Sequence, residues 1–215
     1  MPELTTDIYI ATDGTRRCSW CGRSELYQRY HDLEWGQPVG EDRDLFEKIC
    51  LESFQAGLSW LTILRKREAF RQAFAGFDMK SVAQFGDADV ARLMANEGIV
   101  RNRQKITAAI NNAARALEVV EEFGSLAAYI WQYEPDERTL PKKITRDTIP
   151  KTNAEATRLA KDMKKRGFRF VGPVMTYALM ESMGLVNNHM QECDFRLKIK
   201  RARDAFERPK IRENP

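Results

Sequence analysis

The sequence predicts an all-α fold, and three observations carry that prediction. Apolar residues recur at helical spacing through most of the 215 residues, strict alternation over five or more residues is nearly absent, and the periodic runs open on capping residues and close on glycine. "EDRDLFEKICLESFQAG" is the first clear helix and stops at Gly57. Ser59 is placed to cap "WLTILRKREAFRQAF", which ends at Gly76. Asp78 and Asp87 are the N-caps of two short helices, the second ending at Gly98. "NRQKITAAINNAARALEVVEEF" is the longest periodic run, closed by Gly124, and "SLAAYIWQY" follows it. Pro135, Pro141 and Pro150 mark an irregular basic connector. Thr152 and Glu155 form a T-x-x-E capping box before "ATRLAKDMKKR", which ends at Gly167. "FRFVGP" is a short turn, and Pro173 takes the first helical position ahead of "VMTYALMESM". The basic tail "RLKIKRARDAFERPKIRENP", residues 196–215, reads as a solvated or frayed end.

The composition sets limits on function. Hydrophobic residues make up 43% and charged residues 31%, so the chain can bury a core and needs no membrane. No run of about 18 apolar residues exists, and the N-terminus lacks a basic start followed by an apolar stretch, which predicts a cytoplasmic protein. The net charge of +4 permits a nucleic-acid partner without demanding one, because 31 acidic residues offset the cations. Four cysteines in such a chain read as thiols or metal ligands before disulfides.

Both histidines sit near cysteines. In "GLVNNHMQEC", His189 precedes Cys193 by four places, which on a helix would put them on one face. Near the other end stand Cys18, Cys21 and His31. A structural zinc site takes four thiolate or imidazole ligands, so five candidates compete for four places. The C-x-x-C spacing of "CSWC" favours Cys18 with Cys21; the bland alternative is spare thiols and surface histidines.

Glu52 raises a second question. It shares a helical face with Leu45, Ile49 and Ala56, where a core residue is expected, while Glu47 and Lys48 fall elsewhere on the wheel. A carboxylate there needs partners or it protonates, and such groups concentrate at functional sites; the alternative is a core-rim glutamate paired with an arginine. Trp20, Tyr27, Tyr30, Trp35, Phe54 and Trp60 crowd the same third of the chain, and aromatic walls around a carboxylate suit a planar or cationic ring. Core packing is the default for each of them singly. Further on, Gly167 and Gly172 bracket a turn between two helices, flanked by Lys164, Lys165, Arg166 and Arg169. The second helix would offer a phosphate its N-terminal amides, although an ordinary αα-corner needs glycine too.

The segments "CSW", "YQRYHDLEWGQP", "LFEKICLESFQAGLSWLTILRKRE", "EGIVRNRQKI", "KKRGFRFVGP" and "GLVNNH" occur in one order, and with them the chain resembles the DNA-3-methyladenine glycosylase I family over nearly all of Cys18 to Cys193. The resemblance implies an all-helical relative of the helix-hairpin-helix DNA glycosylases, with a zinc site joining the N- and C-terminal segments. Its implied domains are an N-terminal extension over 1–17, a glycosylase domain over 18–195 and a basic tail over 196–215. It implies Cys18, His31, His189 and Cys193 as ligands of a structural zinc, which leaves Cys21 out. It implies Glu52 as the catalytic residue, Trp20, Tyr27, Tyr30 and Trp60 as the pocket for the base, and Lys164, Lys165, Gly167 and Gly172 as the grip on DNA. Asn188 departs from the pattern, because members commonly carry aspartate beside the zinc histidine; the N-terminal extension, Cys21 and the long tail are further departures.

The implied reaction is hydrolysis of the N-glycosidic bond of 3-methyladenine in double-stranded alkylated DNA, with free 3-methyladenine as a product and an abasic site left behind. The nucleotide must be flipped out to be reached. Leu58 is a candidate plug for the vacated stack, though an ordinary core leucine is the preferred reading. The pocket segments show no lysine nucleophile, which predicts a monofunctional enzyme without lyase activity; a monomer is expected. A zinc-stapled DNA-binding module without activity, or a scaffold, would need neither Glu52 nor its aromatic set.

Overall fold

The computed structural model describes residues 3–212, and its described elements are α1 (Glu25–Leu33), α2 (Asp42–Gln55), α3 (Trp60–Ala73), α4 (Met79–Ala83), α5 (Asp87–Ala95), α6 (Arg103–Phe123), α7 (Leu126–Trp131), α8 (Ala154–Lys165), α9 (Pro173–Ser182) and α10 (Phe195–Ala205), with a small antiparallel sheet β1 (Glu3–Leu4), β2 (Ile8–Ile10), β3 (Arg16–Cys18). The all-α prediction holds for the body of the chain. The sheet was not foreseen, because strands of two or three residues are too short to show alternation.

Helix α2 is the axis of the core. Every residue from Leu45 to Phe54 is buried, because α3, α6, α7 and α9 surround it. Glu47 and Lys48, elsewhere on the wheel from Glu52, are buried as well, and Glu47 meets Arg71 in an ion pair at 2.9 Å. A helix packed on all sides has no solvent face for its polar residues to take.

The caps explain where the elements begin. The side chains of Ser59, Asp78, Asn102 and Ser125 accept from backbone amides three residues on. Two expected caps are displaced by one residue. Asn153, not Thr152, caps α8 by accepting from the Ala156 amide at 2.7 Å, and Thr152 is left beside the Pro173 carbonyl. Gly86 is the N-cap of α5, so Asp87 opens the helix itself, and Asp89 returns to the Gly86 amide at 3.1 Å.

The tail also differs from the expectation. Residues 195–205 form α10, with Ile199 and Arg203 buried. Arg203 donates to the carbonyls of Gly184 (2.7 Å) and Leu185 (3.0 Å) and pairs with Glu134 at 3.0 Å, so its charge is satisfied inside the fold. The start of α10 is knitted to β3: Arg16 donates its amide to Asp194, and Asp194 donates its amide to the Arg16 carbonyl. Segments at opposite ends of the sequence thus meet, and the candidate metal ligands lie at that junction.

Candidate functional site

Cys18 closes β3, His31 sits on α1, and His189 and Cys193 lie in the loop between α9 and α10. All four are buried, and their ligand atoms lie within 4.8 Å of one another, so the group could hold a metal ion. The pair His189–Cys193 is not on a helix, as its spacing had suggested. A tight turn, closed by the Cys193 amide on the Met190 carbonyl at 3.0 Å, brings the two together. Sγ of Cys193 is 3.5 Å from His31 Nε2 and 3.4 Å from His189 Nδ1, and Sγ of Cys18 is 3.8 Å from His189 Nδ1.

The opposite ring nitrogens are engaged elsewhere. His31 Nδ1 is 2.8 Å from Asp32, which Arg17 holds with a forked contact, and His189 Nε2 is 3.1 Å from the Trp35 carbonyl. These partners fix each ring so that the free nitrogen faces the cluster. Cys21 is outside it: its thiol is buried and lies 3.1 Å from the Cys18 carbonyl. The C-x-x-C spacing therefore does not report a ligand pair.

A single turn after Cys18 places Trp20 against His31, at 5.2 Å between ring centroids, and against Tyr27 and Trp35, each at 4.9 Å. Tyr27 and Tyr30 come from α1, which had not been read from the sequence and which Ser24 caps. Trp60 opens α3 and meets Tyr30 at 5.4 Å. These aromatics and Glu52 line one pocket of about 230 Å³. The structure thus brings together the five residues singled out for it and Trp35 of the same aromatic set, adds Gln55 and Glu181, and leaves Phe54 in the core.

Glu52 is the unusual group in this pocket. Burial pushes its carboxyl up to about 7, opposed by the charge of Lys48, and no hydrogen bond holds it within the described residues. The arginine-paired rim reading therefore fails. Lys48, one turn earlier on α2, is also buried, and burial pulls it down to about 8. Its Nζ donates to the Tyr30 hydroxyl at 2.8 Å and lies 4.1 Å from the Trp60 ring centroid, behind the pocket wall. Trp60 contributes a buried Nε1–H that has no partner among the described residues. Glu181, on the inner face of α9, accepts from Asn188 Nδ2 at 2.8 Å; burial pushes it up to about 8, the Asn188 contact opposes this, and the Glu52 charge adds to it. A glutamate inside the apolar run "VMTYALMESM" was the sequence signal for it, of the same kind as Glu52.

The pocket opens onto a groove of about 570 Å³ that shares Glu52, Gln55 and Ala178 with it and runs to the turn at Gly172. Leu58 lies on this groove and is 42% exposed, which overturns the core-leucine reading. Lys105 fixes the turn before Leu58 by donating to the carbonyls of Phe54 (2.9 Å) and Ala56 (2.6 Å) at the end of α2. On the far side, Gly167 adopts a left-handed φ of 86°, and Gly172 is the extended N-cap of α9, with open space where a side chain would stand. Asn111 and Asn112 of α6 hold the intervening turn through the Gly167 and Arg169 backbone. Lys164 and Lys165 are exposed beside it. Arg166 is committed to Glu122 and Asp162, so only some of the cations read around this turn are free.

The methyladenine glycosylase family matches residues 20–197 of this sequence. This chain belongs to that family. Among curated relatives, the DNA-3-methyladenine glycosylase of Haemophilus influenzae is 40% identical over 179 residues, 83% of this chain and 97% of the relative. DNA-3-methyladenine glycosylase 1 of Escherichia coli is 41% identical over 82% of this chain and 95% of its own. Among solved structures, 3-methyladenine DNA glycosylase I from Staphylococcus aureus, described for its recognition of 3-methyladenine, superposes with a TM-score of 0.78 at 36% identity, covering 83% of this chain and 95% of that one. The family match begins at Trp20 and ends at Leu197, so it takes in the aromatic pocket, Glu52 and three of the four cluster residues, with Cys18 two places outside.

Proposed function

We propose that this protein is a DNA glycosylase that flips 3-methyladenine out of alkylated duplex DNA and hydrolyses its glycosidic bond, leaving an abasic site. The observation that carries the reading is Glu52: a buried carboxylate with no hydrogen bond among the described residues, facing an aromatic pocket. A fold does not retain such a group for stability. 3-Methyladenine bears a delocalised positive charge and is already a good leaving group, so the pocket's task is to bind it in preference to normal bases. Glu52 accepts hydrogen bonds from the adenine edge and complements the ring's charge, while Trp20, Tyr27, Tyr30 and Trp60 enclose it. Unmodified adenine offers no such charge.

Leu58, exposed at the groove, fills the gap left by the flipped base, and the Gly167–Gly172 turn holds the backbone phosphate through the first amides of α9. A monofunctional reaction is supported by the position of Lys48, which lies behind Tyr30 and Trp60 and spends its Nζ on the Tyr30 hydroxyl. The deciding experiment is chromatography of free 3-methyladenine released from methylated DNA. DNA binding without release would leave a recognition module and no enzyme.

The charge on Lys164 and Lys165 serves binding alone in this reading. Replacing both with alanine is expected to weaken binding to any duplex and to reduce the slope of log affinity against log salt by about 2, with base preference intact. Titration of binding across salt concentrations checks this.

The four-residue cluster fits zinc held structurally. Tetrahedral zinc with sulfur at about 2.3 Å and nitrogen at about 2.0–2.1 Å separates S and N by about 3.6 Å, and the S···N distances here are 3.4, 3.5 and 3.8 Å. Four protein ligands leave no open position for water, so the ion's contribution is to tie β3 and α1 to the loop before α10 and thereby to seat Trp20. About one zinc per chain is expected by elemental analysis, and Cys21→Ser is expected to leave that content unchanged. Loss of zinc on Cys21→Ser, with retention on His31→Ala, would reassign the ligands.

A further inference from the structure

A second carboxyl shares the base pocket with Glu52, and the reading above gives it no task. Glu181 lines that pocket from α9. One of its oxygens is fixed, because Asn188 Nδ2 donates to Oε1 at 2.8 Å and to the Tyr177 hydroxyl at 2.8 Å. Among the described residues the other oxygen has no hydrogen bond. Asn188 suits this contact because its amide donates; an aspartate there would instead add a third carboxyl beside Glu52 and Glu181.

The two carboxyls are not equivalent. Lys48 favours the ionised form of Glu52, whereas no cation acts on Glu181, which instead feels the Glu52 charge. The other titratable groups on the pocket are Tyr27 and Tyr30, both kept neutral by burial. Two carboxyls that feel each other, with a cation acting on only one of them, divide into one anion and one acid. Because Oε1 accepts from Asn188, the proton of that acid belongs on the unpartnered oxygen, where it makes a donor. The pocket then offers an acceptor at Glu52 and a donor at Glu181, and the adenine edge has the complementary pair, an amino donor beside a ring-nitrogen acceptor.

We propose that Glu181 contacts the flipped base as a neutral acid, donating a hydrogen bond to a ring nitrogen while Glu52 accepts from the amino group, and so is a specificity-determining residue of this site. This rests on the glycosylase reading above. Glutamine keeps both a donor and the acceptor for Asn188; methionine keeps the bulk and loses both.

The test is single-turnover release of 3-methyladenine from methylated DNA by wild type, Glu181→Gln and Glu181→Met, with free 3-methyladenine binding, zinc content and melting temperature measured on each. Glu181→Gln is expected to stay within about threefold of wild type, and Glu181→Met to lose roughly tenfold or more in release and in base binding, from one lost hydrogen bond at a desolvated site. The wild-type rate should fall as pH rises through about 8, where Glu181 loses its proton, and that limb should be missing from Glu181→Gln. Structural support from Glu181 would not create such a limb. A Glu181→Gln enzyme as impaired as Glu181→Met would show that the group works as an anion and would overturn the proposal, as would wild-type rates and base affinity in both variants. A wild-type protein that releases no base overturns the glycosylase reading and this one together.

Discussion

Glu52→Gln is expected to slow release of 3-methyladenine from methylated DNA by roughly ten- to hundredfold, from one charge-assisted hydrogen bond of about 1.5–3 kcal/mol, while affinity for undamaged duplex stays the same. Glu52 lines the pocket and the part of the groove shared with it, whereas the exposed lysines lie beside the Gly167–Gly172 turn on the surface. The working form is the anion, and the folded carboxyl titrates at about 7, so release by the wild type should fall as pH drops through that value. For stability the sign is opposite. A carboxyl raised from 4.5 in the unfolded chain to about 7 in the fold contributes stability that is present below 4.5 and lost as pH rises through 7. At neutral and alkaline pH the charge therefore costs stability, on the order of 1–3 kcal/mol. Glu52→Gln should melt a few degrees higher above pH 7 while it works worse. Single-turnover kinetics across pH, beside thermal melts, reads both effects. A variant that excises at the wild-type rate would return Glu52 to a merely structural role.

The largest effect on stability is expected from the metal ligands. Cys18→Ser or His189→Ala should abolish stoichiometric zinc and lower the melting temperature by roughly 10–20 °C. The reason is topological. Cys18 and His189 are 171 residues apart, so an ion held between them would close most of the chain into a loop. A cross-link of that span restricts the unfolded chain by about 5 kcal/mol, and each kcal/mol moves the midpoint of a chain of this size by about 2–4 °C. Activity should fall with folding, because Trp20 rests on His31 and forms a pocket wall. Cobalt in place of zinc should restore both stability and the wild-type pH profile; a shifted profile in a folded cobalt protein would mean that the ion takes part in the chemistry.

Much of this was readable in the residues, for physical reasons that also set the limits. Helices α2, α3 and α6 announce themselves by period and by their caps or glycine stops. Helix α1 does not, because its inward residues are Tyr30 and His31, and an aromatic–histidine face does not read as an apolar stripe. The sheet strands are too short for a period, and α10 carries so many charges that its buried Ile199 and Arg203 are hidden among them. Glu52 was visible as a carboxylate in a core position. The burial of Glu47 and Lys48 is not legible from a wheel, because the wheel assumes one wet face and α2 is enclosed from Leu45 to Phe54. Lys48 and Glu181 become meaningful only when α1, α2 and α9 converge, which no spacing within a single helix reports. The fifth candidate ligand, Cys21, was resolved by direction: its thiol turns back to the Cys18 carbonyl instead of toward the histidines.

The junction of the two ends also has a consequence for synthesis on the ribosome. Cys18 emerges early, and its partners His189 and Cys193 follow 171 and more residues later. At about 5–20 residues per second, the first thiol waits roughly 10–30 s for them. During that interval Trp20 has no metal-ordered neighbour to rest on, and Glu181 and Asn188 are themselves among the late arrivals. The base pocket is therefore among the last features to assemble. A nascent chain broken off before residue 189 has the residues that line the pocket but lacks His189 and Cys193, half of the cluster beside Trp20. Premature termination before residue 189 would thus remove two of the four cluster residues and leave Cys18 and His31 without them.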